Sequence, residues 1–265
     1  MTFKMPRGAI PTPRNELVAS KQYSPEQRSE VFVPSGEFPS PNHELVAAKP
    51  YKASAAPESF LAWPLEVGFW GNDRASNSLW AEEAFAKACA KPQVLIPADV
   101  VMLTAQERGS ANFAEFMQTH GFQVASHAYL NGPFQSIDWT NPATLKSAIA
   151  NVGPVKIGVA SVNLTSAPQS KVTPGRSGWA IYGLPPGKRE DHCASLCGYG
   201  KLADLVGLFK KHKVTVHFPP GMPKGDCYAM FTWGSIGILD QQSLINVTDE
   251  AWVRNPTTIV KSLGG

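Results

Sequence analysis

Hydrophobic and polar positions divide the chain near residue 58. Residues 1–58 are rich in Pro, Ser and Lys and carry no sustained helical or strand period. From Phe60 onward, apolar positions recur at spacings that define elements. A helix is predicted through residues 79–89 (LWAEEAFAKAC), capped by Asn77 or Ser78, with Glu82 and Glu83 early, where the helix dipole favours acids. A second helix is predicted over 111–120, stopped by Gly121. A third starts with Asn141 as cap and Pro142 at its first position and runs to Ala150, until Gly153-Pro154 breaks it. Alternation at 155–160 reads as a strand. A Gly/Pro/Ser loop follows, then a strand at 192–199, a helix at 202–213, a strand at 228–233 and a short strand at 236–240. Helices first and strands afterwards is an α+β pattern, not a series of βαβ units.

The N-terminal arm contains a repeat. PTPRNELVASKQY at 11–23 returns as PSPNHELVAAKPY at 39–51, with eight of thirteen positions identical at an offset of 28. Two copies are too few for a solenoid. Each reads as an extended Pro-rich entry followed by a turn of helix, and neither buries enough apolar surface to stand alone. The expectation is that the arm docks on its own domain or on a neighbouring copy, anchored by Leu17/Val18 and Leu45/Val46. The organisation is therefore an arm over 1–58 and a globular domain over 59–265.

A net charge of +3 without a long basic run gives no nucleic-acid footprint, and no apolar run approaches a membrane span. Residues 1–9 lack the apolar core of a secretory signal, so the cytoplasm is favoured. The four cysteines (Cys89, Cys193, Cys197, Cys227) show no zinc-ligand spacing, and no metal or cofactor is expected. Cys193 and Cys197 face one side of a strand and read as buried free thiols. Asn163 and Asn246 sit in glycosylation patterns that matter only in a secreted protein.

One histidine among six, His192, gains meaning from its neighbours. Gly153-Pro154-Val155 precedes the strand that opens Asp191-His192 and closes Gly198-Tyr199-Gly200; Thr232-Trp233-Gly234 follows later. With Phe69-Trp70-Gly71-Asn72-Asp73 and AEEAFAKA at 81–88, this arrangement resembles papain-like cysteine peptidases, and more closely a bacterial group of them. The resemblance spans about residues 59–258 plus one copy of the arm motif. It implies a two-lobed fold, a helical lobe beside an antiparallel β-sheet or barrel lobe, with a peptide or protein held in the cleft.

That family uses a thiolate at a helix N-terminus, a histidine that carries the proton, an asparagine that orients the histidine, and a glutamine six residues before the nucleophile that helps form the oxyanion hole. Carried over, the resemblance implies His192 as base, Asn72 as oxyanion donor and Trp233 as the aromatic shield. The nucleophile position holds Ser78. The orienting position holds Phe231, which cannot orient an imidazole; Thr232 beside it can. A serine hydroxyl is not ionised by a helix end and a histidine as a thiol is, so it depends on base catalysis during attack. Ser76 misses the helix end, Cys89 lies about 16 Å deeper along the axis, and Cys193 and Cys197 sit in a strand. None replaces the lost nucleophile. The expected function is a non-catalytic papain-like homologue, peptide-binding or structural. The alternatives are a hydrolase using Ser78 with His192 and Asn72, and an assembly subunit whose arm makes a homo-oligomer.

Overall fold

The computed structural model describes residues 51–63, 78–90, 95–108, 113–132, 134–160, 164, 177–186, 192–232, 235–254 and 259–262. Among these, the helices are α1 (Ser78–Cys89), α2 (Ala98–Arg108), α3 (Phe113–Thr119), α4 (Pro142–Asn151), α5 (Leu202–Lys211) and α6 (Gln241–Val247). The strands are β1 (Phe60–Leu61), β2 (Phe122–Val124), β3 (His127–Leu130), β4 (Phe134–Ser136), β5 (Val155–Val159), β6 (Ser177–Ile181), β7 (His192–Lys201), β8 (Thr215–His217), β9 (Asp226–Thr232), β10 (Ser235–Asp240), β11 (Thr248–Arg254) and β12 (Ile259–Ser262). The α+β class holds.

The main sheet runs β4-β11-β5-β7-β9-β10-β6-β8, with β1 added on β7, and a small sheet runs β12-β3-β2. The sheet expectation needs correction in two respects. β6 pairs in parallel with both β10 and β8, so the sheet is mixed rather than antiparallel. It also stays open, because the short strands β4 and β8 end it rather than joining each other. The stretch expected as a Gly/Pro/Ser loop supplies β6, and its place is set by a fit to a distant strand. Trp179 lies on Gly237, where a Cβ would come within 2.0 Å of the indole.

Two apolar cores lie on opposite faces of this sheet. Along β9, Cys227, Ala229 and Phe231 join the core covered by α1, α2, α3 and α5, while Tyr228 and Met230 join the core covered by α4 and α6. This is the period-2 alternation of a strand buried on both sides. α1 is buried on every side except at Cys89, which explains its alanines: a helix enclosed all round needs small residues where neighbours approach. Asn141 caps α4 as expected, accepting from the Ala143 and Thr144 N–H groups. Gly121 ends the turn after α3 at φ +63, with its missing Cβ against Tyr129 O. α2 has no clear hydrophobic period in the sequence, since only Val101 and Ala105 of that helix are fully buried.

The end of the arm is fastened to the domain. The Tyr51 N–H donates to Ser136 O at 3.2 Å, and the Tyr51 hydroxyl pairs with Ser147 Oγ at 2.9 Å. Ser147 Oγ also accepts from the Ser54 N–H at 2.8 Å, and Asn151 Nδ2 donates to Ser54 Oγ and Ala55 O. Leu17, Val18, Leu45 and Val46 lie outside the described residues. Among the described residues, no helix is long and apolar enough to cross a membrane.

Candidate active site

Ser78 is the first residue of α1, and its Oγ accepts the Cys193 N–H at 3.3 Å. His192, which opens β7, is next in the chain. Residues 195 and 231 are paired across β7 and β9; continuing that antiparallel register sets Thr232 opposite Ala194, so His192 and Thr232 are diagonal neighbours on one face. Their side chains meet there, with His192 Nε2 and Thr232 Oγ1 sharing a hydrogen bond of 2.5 Å. Phe231 points to the other face and stacks flat on Phe85 of α1, with ring centroids 3.9 Å apart. The residue that holds the imidazole is thus Thr232, through a hydroxyl able to donate or accept. Asn72 and Trp233 lie outside the described residues.

Ser78, His192 and Thr232 are therefore gathered at one end of β7 and β9. All three are sealed: Ser78 is 0% exposed, His192 1% and Thr232 0%. Burial pushes the His192 ring down to a pKa of about 3, so the imidazole is neutral at physiological pH and resists the proton a general base must accept. Among the described residues, no hydrogen bond joins Ser78 Oγ to the His192 ring; the hydroxyl's contact is with the strand backbone. Cys193 and Cys197 are buried free thiols on the α1 face, and burial raises the pKa of both, which makes them poor nucleophiles.

A feature not anticipated from the sequence lies behind α1. Glu82 and Glu83, expected to serve the helix dipole, are in the interior. Glu83 meets Arg254 Nη1 at 2.5 Å, Lys156 Nζ at 3.1 Å and Lys87 Nζ at 3.5 Å. Burial raises the Glu83 pKa, and the three cations more than offset it, holding the carboxyl well below its usual range. Burial lowers Lys87 to about 7 against the pull of Glu83, and its ammonium donates to Leu130 O and Asn131 Oδ1. The Arg254 guanidinium lies among Phe113, Phe134 and Trp252, 3.8 Å from the Phe134 centroid. Two sequence signals point here: the Glu82-Glu83 pair, with Lys87 one turn on, in a helix whose other residues are mostly apolar, and a lysine inside the strand VKIGV.

No family model and no curated protein matches the chain. Among solved structures, it is similar to procathepsin L2 proteinase from Tenebrio molitor larval midgut (TM-score 0.48, 12% identity, 95% of this chain and 84% of that one). It is similar to the bromelain protease of Ananas comosus solved with the E64 inhibitor (TM-score 0.44, 11% identity, 75% and 98%). It is also similar to the proform of the ragweed pollen allergen Amb a 11, a cysteine protease (TM-score 0.46, 12% identity, 83% and 64%).

Proposed function

We propose that this chain is a papain-like homologue that does not cleave peptides, and that the positions of its nucleophile and base serve as an interior contact. The observation that carries this reading is the sealing of the pair. Ser78 and His192 are buried, the imidazole is neutral, and each side chain has a partner other than the other. An alcohol at a helix end needs a base that accepts its proton during attack, and a buried neutral imidazole bonded to Thr232 has little capacity to do so. A peptide or protein in the inter-lobe cleft would bind without touching either residue. Fluorophosphonate labelling of the full chain tests the reading. No adduct is expected on wild type, and Ser78→Cys is expected to gain no peptidase activity. An adduct lost in both Ser78→Ala and His192→Ala would establish the hydrolase instead.

A second reading has its own support. The tyrosine that closes the second arm motif is fixed on α4 of its own chain through Ser147, so the arm is anchored at its end, and a homo-oligomer made by the rest of the arm is the second reading. Light scattering on the full chain and on a chain lacking residues 1–35 tests it. An oligomer for the full chain that becomes a monomer on truncation supports assembly, and a monomer for both chains overturns it.

A further inference from the structure

We propose that Glu83 is a positioning residue for Ser78: its ion pairs to β5 and β11 set the register of α1 on the sheet and so hold the Ser78 hydroxyl against Cys193. The interpretation of Ser78 as a former nucleophile position rests on the function proposed above; the coupling between Glu83 and Ser78 does not.

Aromatic packing ties α1 to α3, β2 and β9, with Trp80 against Phe113, Phe116 and Phe122 and Phe85 against Phe231. Towards β5 and β11 the directional contacts are the ion pairs of Glu83. A slip of one residue moves a helix by about 1.5 Å and turns it by about 100°. Charged contacts at 2.5 and 3.1 Å to two separate strands tolerate no such slip.

The two contacts fall on one strand pair. Glu83 holds Lys156 of β5. Ser78 accepts from Cys193 of β7, whose partner on β5 is Gly158, two residues from Lys156. Lys156 is itself paired across to Ser195, three residues beyond His192, so the same carboxylate fixes α1 relative to the strand that carries the imidazole.

The contact has a direct reporter, the Cys193 amide proton, which is donated to Ser78 Oγ. Its chemical shift is measured by amide-resolved NMR of the full chain as wild type, Ser78→Ala, Glu83→Gln and Lys156→Met. Ser78→Ala defines the shift with the bond absent. The expected result is that Glu83→Gln moves the Cys193 proton at least halfway to that value, and that Lys156→Met moves it in the same direction. A Cys193 shift unchanged in Glu83→Gln, with only the melting temperature lowered, would make Glu83 a stabiliser without a positioning role and overturn the proposal. Lys156→Met keeps the Glu83–Arg254 pair and decides the question if Glu83→Gln does not fold; an unmoved Cys193 proton there overturns it equally. Fluorophosphonate labelling of wild type would defeat the non-catalytic reading while leaving these shifts as expected, so the two failures are distinguishable.

Discussion

Acid should unfold this protein earlier than its carboxylates require, because of His192. The unfolded ring titrates near 6.5 and the folded ring at about 3. Above pH 6.5 the ring is neutral in both states and contributes nothing. As pH falls from 6.5 towards 3, the unfolded chain takes up a proton that the folded chain refuses, so stability is lost across that window. A separation of about 3.5 units corresponds to a ceiling of about 5 kcal/mol. Between pH 7 and pH 5, linkage gives a loss of about 2 kcal/mol, a large part of a typical stability of roughly 5–15 kcal/mol. Glu83, held low, adds its own loss only as pH falls through and below the ordinary carboxylate range. Lys87, lowered to about 7, titrates near the top of the window in the same direction. Both contributions are common to wild type and a His192→Gln variant, so the difference isolates the ring. Urea unfolding at pH 7, 6 and 5 on both proteins is the assay. Wild type should lose about 2 kcal/mol more than the variant over that range. Parallel losses would refute the argument, since they would mean that His192 is as easily protonated folded as unfolded.

Three further outcomes follow from packing and capping. Gly237→Ala drives a methyl group into the Trp179 ring and should cost about 1–3 kcal/mol or more, with altered Trp fluorescence and a lower urea midpoint. Asn141→Ala removes the acceptor of two N–H groups at the start of α4 and should cost about 1 kcal/mol, read by thermal denaturation. Ser147→Ala removes the hydroxyl that ties down Tyr51 and Ser54; it should cost about 1–3 kcal/mol and speed proteolytic cutting within residues 51–58 under native conditions.

Local rules made part of this molecule legible. Asn141-Pro142 opened α4, Gly121 closed the turn after α3, and the apolar runs of β5, β7, β9 and β10 announced buried strands, because capping, φ > 0 and two-sided burial leave their mark on adjacent residues. Ser78 at a helix start and His192 at a strand start were likewise visible in the sequence. The tertiary structure decided the rest. β6 became a strand of the main sheet, between β10 and β8, because Trp179 fits Gly237, 58 residues away. Thr232 and not Phe231 reached His192, because the pleat turns alternate residues to opposite faces. Glu83 became an interior hub because Lys156 and Arg254, distant in sequence, arrive beside it. A carboxylate in a helix has the same local propensity whether water or a guanidinium faces it. Only the assembled sheet determines which, and with it whether Ser78 and His192 meet solvent or each lies sealed with another partner.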